Sequence, residues 1–253
     1  MRRLGVVLVI LALLLDTGPA SPASARETIV VRTLQLARGA DRPLPTTLWY
    51  PARPTRRHPV ILFSHGLGGL PRQFEPLAAG WARAGYVVAA PAYPHTNGRV
   101  RVDRRDIVNQ PADAAFVIGA VRALNHTPGD MLAGRLDVDR VAAVGFSAGG
   151  TTTLGLFGPG HASFLRAGVS ISGRRPPGGF GGFAAPLLFV HGDGDRVVPI
   201  RSGRQAYAAA PFPKRFVTVR GGRHGEFLRP DDAGYSRVSG QILAFLTANV
   251  PVV

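Results

Sequence analysis

The stretch VAAVGFSAGG, residues 141–150, joins an apolar run to a glycine-rich turn and then to a segment of helical composition. Its G-x-S-x-G pattern places Ser147 between Gly145 and Gly149. A sharp strand-to-helix turn holds such a serine in a strained conformation, and the glycines let neighbouring backbone pass closely. The pattern predicts a nucleophilic Ser147 hydroxyl above a sheet; the alternative is an ordinary turn in a chain with 32 glycines.

Similar apolar runs recur along the chain, and segments with helical spacing lie between them. The runs are residues 59–64, 86–90, 141–146, 168–172, 186–190 and 216–219. The helical segments are residues 72–84, 107–124, 148–156, 202–210 and 234–249. This alternation predicts an α/β fold with a mostly parallel central sheet and helices on both faces. Residues 27–36 and 46–50 predict an antiparallel pair at its N-terminal edge.

Function is expected beyond the carboxyl ends of these strands, where open α/β sheets bind their ligands. The first such loop is SHGLGG, residues 64–69, in which the Leu67 N–H is a candidate oxyanion donor. The Ala148 N–H at the start of the helix after Ser147 is the second candidate donor. His65 is expected to brace its loop, because another histidine is better placed to act as the base.

Two later strands are each followed by polar residues suited to assist a serine. HGDGDRVVP, residues 191–199, offers Asp193 or Asp195 as the carboxylate that orients a histidine, or as a turn-forming residue. RGGRHG, residues 220–225, sets His224 on a loop after the last strand; the alternative is a solvent-exposed histidine. The order serine, acid, histidine is that of one hydrolase fold.

The motifs SHGLGG, GFSAGG, HGDGDRVVP and GGRHG together resemble those of the α/β-hydrolase superfamily over nearly all of residues 26–253. The resemblance implies the α/β-hydrolase fold and the catalytic triad Ser147, Asp195 and His224, because HGDGDRVVP matches a pattern whose last aspartate is catalytic. There is little room for a cap domain between residues 173 and 186. This compact form without a cap domain is similar to that of chlorophyllases, platelet-activating-factor acetylhydrolases and cutinase-like polyester hydrolases. The absence of cysteine departs from many secreted cutinase-like members.

The resemblance implies hydrolysis of small-molecule or polymeric carboxylic esters through an acyl-enzyme, with no cofactor and no metal. Tyr93, in the loop of residues 93–105, is expected to contact substrate, as are Phe180 and Phe183 in the Gly/Pro loop of residues 174–185. A serine peptidase would use the same triad, and a non-catalytic binding protein on this fold is the third alternative. Oligomeric state is left open by the sequence.

The N-terminal stretch has the three-part layout of a secretory signal peptide, with Arg2 and Arg3, an apolar run and a small-residue end at Ala25. We expect residues 1–25 to be removed and residues 26–253 to form a single exported domain, outside the cell or in its envelope. The apolar run is shorter than the ~20 residues that span a bilayer, so no stable membrane anchor is expected after cleavage.

The chain carries a formal charge of +15 and no cysteine. The absence of cysteine excludes disulfides and a thiolate nucleophile. The positive residues, almost all arginine, are scattered along the chain and accompany no nucleic-acid-binding motif, so no nucleic-acid partner is expected. The arginines of residues 99–105 allow two interpretations, a solvated loop or a preference for acidic substrates.

Overall fold

The computed structural model describes residues 28–253, so the predicted signal peptide lies outside the described residues. These residues form an eight-stranded sheet in the order β1-β2-β4-β3-β5-β6-β7-β8. The strands are β1 (Ile29–Ala37), β2 (Pro43–Pro51), β3 (His58–Ser64), β4 (Val87–Pro91), β5 (Leu136–Phe146), β6 (Leu165–Ile171), β7 (Leu187–Gly192) and β8 (Lys214–Val219). Each predicted apolar run overlaps one of them.

Strand direction divides the sheet into two parts. β1 pairs with β2, and β2 with β4, in antiparallel fashion. All pairs from β4 to β8 are parallel. The predicted antiparallel N-terminal edge and the mostly parallel sheet are therefore confirmed, and the architecture is consistent with the α/β-hydrolase fold.

Helices cover both faces of the sheet, as predicted. They are α1 (Glu75–Arg83), α2 (Gln110–Ala123), α3 (Ala148–Gly155), α4 (Ile200–Ala209) and α5 (Tyr235–Asn249). Apolar residues of α1 and α5 join the core on one face, and those of α2, α3 and α4 join the core on the other. Alternate residues of β3 serve both cores, with Val60 and Leu62 on one side and Ile61 and Phe63 on the other. Burial on both faces explains the continuous apolar sequence of this strand.

The strand order sets the position of the functional loops. β3 lies between β4 and β5, so the chain moves to one side of β3 and then crosses to the other. Such a switch point opens a crevice beyond the carboxyl ends of the strands. β3, β5, β7 and β8 all run parallel, so the loops that follow them meet at one edge of the sheet.

A buried ionic cluster ties the β1–β2 turn to α2. Arg42 donates to both oxygens of Asp106, at 2.9 and 2.8 Å, and also to Asp113. Arg38 donates to Asp113 at 2.7 Å. Two arginines thus balance two buried carboxylates, which meets the requirement that buried charges be paired. Burial opposes ionisation of Asp106, but the hydrogen bonds from Arg42 and Asn109 keep its pKa below the ordinary value.

The connection between β6 and β7, residues 172–186, contains neither helix nor strand in the described chain. This agrees with the expectation that no cap domain is inserted there. Within residues 28–253, no helix is both long and apolar enough to span a bilayer.

Candidate active site

Ser147 occupies the turn between β5 and α3 and has the positive φ angle of 56°. That region of backbone space is costly for a residue with a Cβ and marks a strained position. A Cβ at Gly145 would overlap the carbonyl oxygen of Gly149, and one at Gly149 would overlap the carbonyl oxygen of Ser64 on β3. The two glycines of the motif therefore allow the turn to pack tightly against the neighbouring strand, as the sequence predicts.

His224 forms hydrogen bonds with both of its predicted partners. Its Nε2 lies 3.0 Å from the Ser147 Oγ, and its Nδ1 lies 2.7 Å from the Asp195 Oδ2. The three residues are separated by 77 and 29 positions along the chain. Strand order alone brings them together, since each follows a parallel strand at the same edge of the sheet.

Asp195 is buried and accepts three hydrogen bonds. Its Oδ1 accepts from the amides of Val197 and Val198, at 2.9 and 2.8 Å, and its Oδ2 accepts from His224. Burial would raise the pKa of this carboxyl, but these bonds outweigh it and hold the pKa below the ordinary value. An ionised Asp195 only accepts, so His224 carries its proton on Nδ1 and leaves Nε2 free to accept from Ser147.

Asp193, the other aspartate that the sequence allows, has a different contact. Its Oδ1 accepts from the Gly221 amide at 2.7 Å. This bond ties the loop after β7 to the loop that carries His224, and of the two aspartates it is Asp195 that forms a hydrogen bond with the imidazole. The geometry thus separates two candidates that residue types and spacing left open.

The two predicted oxyanion donors border the same space as Ser147. Leu67 and Ala148 both line the cavity at this edge of the sheet. Neither amide donates a hydrogen bond to any other group within residues 28–253. Two unengaged backbone N–H groups beside a serine hydroxyl are suited to stabilise a developing negative charge on oxygen.

His65 braces the loop of Leu67. Its Nε2 accepts from the Tyr93 amide at 3.2 Å, so its Nδ1 carries the proton and donates to the Gly66 carbonyl at 2.7 Å. That carbonyl also accepts from the Gly69 amide. In a trans peptide the carbonyl and the next N–H point in opposite directions, so the two bonds turn the Leu67 N–H away from His65. The expected bracing contact is present.

Buried His65 makes folding stability depend on pH. Burial lowers its pKa from 6.5 to about 4, although the bond to Gly66 acts the other way. The unfolded chain thus binds a proton at a higher pH than the folded one. The contribution of neutral His65 to the free energy of unfolding is fully present above pH 6.5. It is lost as the pH falls toward 4, and the loss is about 3 kcal/mol.

We expect His65→Gln to flatten the decline in unfolding free energy between pH 7 and pH 4, measured by urea titration at each pH. The matched control is His126→Gln, which removes an exposed imidazole. It should leave the decline as steep as in the original protein. Parallel pH profiles for the original protein and His65→Gln would contradict the prediction.

Ser147 and His224 face a cavity of about 560 Å³. Its wall is partly apolar, with Ile107 from the turn before α2, Phe146 from the end of β5, and Val197 from the loop after β7. Phe146 also packs against the His224 ring, with 4.9 Å between ring centroids. A ring packed on the imidazole helps to hold it in line with Ser147.

A smaller cleft of about 290 Å³ adjoins this cavity. Gly66, Leu67 and Phe146 line both spaces, so the loop after β3 forms the boundary between them. Phe74 and Leu228 give the cleft an apolar wall. A substrate whose reacting carbonyl lies near the Leu67 amide thus has room on two sides.

The three predicted substrate-binding residues lie away from the Ser147 cavity in the described chain. Tyr93 is fully buried, and its hydroxyl is 2.7 Å from the Ser64 Oγ. Phe180 packs edge-on against Phe212, and Phe183 lies 63% exposed beside His161. Within the described chain, none of the three lines the cavity of Ser147. Aromatic side chains here stabilise the core and a neighbouring surface cluster.

The predicted loops do reach the cavity, but through other side chains. Arg104 comes from the loop of residues 93–105, and Arg174 begins the Gly/Pro loop. Sequence reasoning singled out neither side chain as a contact, although it noted the arginines of residues 99–105. Phe146 was also missed, although its place inside G-x-S-x-G beside Ser147 was a usable signal.

No group of three or more His, Cys, Asp or Glu side chains suited to a metal ion occurs within residues 28–253. The polar groups of the site are instead those of a serine, a histidine, a carboxylate and backbone amides. The expectation that no cofactor or metal is used stays a prediction.

Comparison with known proteins adds one match. The family model for platelet-activating factor acetylhydrolase, isoform II, matches residues 24–98, a segment that includes β1 to β4 and the loop of Leu67 and ends before Ser147. No curated protein matches the chain significantly. The family match supports a hydrolase of the lipase or esterase type. The match and the eight-stranded, mostly parallel sheet are both consistent with the α/β-hydrolase superfamily.

Proposed function

We propose that the protein is a serine hydrolase that cleaves carboxylic esters through an acyl-enzyme. The observation that carries this proposal is the continuous hydrogen-bond path from the Ser147 Oγ through His224 to Asp195, at the wall of an open cavity. Nucleophile, base and orienting carboxylate within hydrogen-bond reach are the arrangement required for acyl transfer. The family match to an ester-cleaving acetylhydrolase supports the same class of substrate.

In the first step His224 Nε2 accepts the Ser147 proton while the Ser147 Oγ attacks the ester carbonyl carbon. The carbonyl oxygen gains the negative charge and accepts hydrogen bonds from the Leu67 and Ala148 amides. Asp195 stabilises the imidazolium that forms. As the carbon–oxygen bond to the alcohol breaks, His224 returns the proton to the leaving oxygen, and the acyl group stays on Ser147.

In the second step water replaces the alcohol. His224 Nε2 takes a proton from the water as its oxygen attacks the acyl carbon, and the same two amides again hold the oxyanion. The bond to the Ser147 Oγ breaks, the serine recovers its proton from His224, and the acid leaves. The partly exposed His224 and the open cavity give water access to this step.

A p-nitrophenyl ester series from acetate to palmitate tests the proposal on the purified protein. We expect hydrolysis of the short esters, with kcat/KM falling once the acyl chain outgrows the space beside Leu67. A p-nitroanilide of the best acyl group is the matched amide. Failure to cleave any ester would contradict the proposal, and cleavage of the amide in place of the esters would favour the peptidase alternative.

Export and cleavage near Ala25 stay predictions from the N-terminal sequence, as do the absence of a membrane anchor and of a nucleic-acid partner. Small-molecule and polymeric esters are both compatible with a cavity that no cap domain covers. The proposed chemistry is the same for either.

A further inference from the structure

The cavity of Ser147 is lined by two arginines and, among the described residues, by no aspartate or glutamate. The arginines are Arg104 and Arg174. The nearest catalytic carboxylate, Asp195, is 5% exposed and points its Oδ2 at His224. The accessible charge of the cavity wall is therefore positive.

Arg104 is exposed and, within residues 28–253, has no ion-pair or hydrogen-bond partner among the side chains. It begins the 3₁₀ turn Arg104–Asn109, in which Ile107 also lines the cavity. Residues three apart are eclipsed in a 3₁₀ helix, so Arg104 and Ile107 share one face of this turn. That face is the one directed at the cavity.

The carboxylates closest in sequence to Arg104 are already paired with other arginines. Asp106 is held by Arg42 in the buried ionic cluster. Asp103 accepts from Arg105 at 3.1 Å through one oxygen and 3.2 Å through the other. The charge of Arg104 is therefore left for a group that enters the cavity.

Arg174 is held in place by contacts with α3 and with the loop that follows β7. Its amide donates to the Thr151 Oγ1 at 3.0 Å, and one terminal nitrogen donates to the Val197 carbonyl at 3.3 Å. Both partners line the same cavity. A guanidinium has five N–H donors, so most of them stay available for an anion.

The adjoining cleft of about 290 Å³ is mainly apolar, unlike the cavity of Ser147. Phe74, Phe146 and Leu228 line it, and its one arginine, Arg229, contacts Asp231 at 3.4 Å. The Leu67 amide lies on the boundary between the two spaces. An ester whose carbonyl lies near the Leu67 amide places one side in the apolar cleft. Its other side lies in the cavity, beside Arg104 and Arg174.

We propose that the preferred esters carry an anionic group, a carboxylate or a phosphate, on the part that occupies the cavity of Ser147. Arg104 and Arg174 bind that group through charge-assisted hydrogen bonds, and the large positive charge of the whole chain attracts it. This inference rests on the proposed ester hydrolysis and specifies its substrate class.

Matched pairs of esters test the inference. For the acyl side, the pair is the mono-p-nitrophenyl ester of adipic acid and p-nitrophenyl hexanoate. For the alcohol side, 2-acetoxyethyl phosphate and 4-acetoxybutanoate are compared with pentyl acetate. We expect at least one anionic ester to exceed its neutral partner about tenfold in kcat/KM, and the excess to shrink as salt screens the charges. The set also shows whether the preferred anion is a carboxylate or a phosphate, and whether it lies on the acyl or the alcohol side of the ester.

Variants assign the preference to the cavity. Arg104→Gln and Arg174→Gln should each lower the ratio of anionic to neutral kcat/KM by about fivefold to tenfold, mainly through KM. The control is Arg101→Gln, which removes the same charge from an exposed residue of the same loop that does not line the cavity. It should leave the ratio unchanged.

Three outcomes would overturn the inference. Equal kcat/KM for anionic and neutral partners, with neutral esters hydrolysed, would refute the anionic substrate class and leave the proposed function standing. A ratio that falls as much in Arg101→Gln as in the two cavity variants would assign the preference to overall charge and not to this site. Failure to hydrolyse any of these esters would overturn the proposed function and this inference together.

Discussion

Ser147→Ala is expected to lower kcat for ester hydrolysis by about 10⁴- to 10⁶-fold while the protein stays folded. The variant removes only the Oγ that attacks the carbonyl. Alanine keeps the Cβ, so the backbone strain at φ 56° is little changed. Steady-state kinetics with the best p-nitrophenyl ester measure the loss, and circular dichroism with urea unfolding checks the fold.

Ser172→Ala is the matched control for this variant. Ser172 follows β6, the strand next to β5, and also has a positive φ, of 50°. Its buried Oγ has no hydrogen-bond partner within residues 28–253, so it makes no bond with His224. We expect kcat within a few-fold of the original protein. If Ser147→Ala kept most of the activity, another group would have to be the nucleophile.

Asp195→Asn is expected to lower kcat by about 10⁴-fold, through the tautomer of His224. The asparagine carbonyl can keep the two bonds from the Val197 and Val198 amides, which leaves its NH₂ group facing His224 Nδ1. An NH₂ group only donates, so Nδ1 must accept and Nε2 must carry the proton. Nε2 then no longer accepts the proton of Ser147.

Asp193→Asn provides the control for the acid, two positions away in the same loop. Its Oδ1 accepts from the Gly221 amide, a bond that an asparagine carbonyl can also accept. We expect a loss of less than about tenfold in kcat, because the contact is with backbone outside the reacting groups. Kinetics of both variants with the same ester make the comparison. A larger loss in Asp193→Asn than in Asp195→Asn would reverse the assignment of the acid.

Local sequence patterns predicted most of the sheet because burial on both faces leaves a continuous apolar run. The predicted run of residues 59–64 lies within β3, for example, and residues 186–190 overlap β7. Ends of elements were less well predicted. β5 begins at Leu136, five residues before its predicted start, where half-buried and exposed polar residues interrupt the apolar pattern. The predicted helix of residues 107–124 begins as the 3₁₀ turn Arg104–Asn109, and regular α-helix starts at Gln110.

The substrate-contacting residues were predicted from residue type, and the three aromatic residues chosen do not line the Ser147 cavity in the described chain. Aromatic side chains gain most from burial, so Tyr93 enters the core and Phe180 packs against Phe212. A guanidinium is costly to bury without a partner, so Arg104 and Arg174 stay at the open cavity wall. Loop position was predictable, but side-chain direction depended on packing between distant elements.

The sequence by itself determined the succession of strands and helices along the chain, the strained turn at Ser147, and the position of candidate residues after particular strands. These features depend on local composition and on steric limits within a few residues. The resemblance implied Asp195 as the acid, but only the tertiary structure gave its 2.7 Å contact with His224, the separate contact of Asp193 with Gly221, and the two arginines at the cavity wall. These outcomes depend on distances of a few ångströms between loops far apart in the chain, which no local pattern encodes.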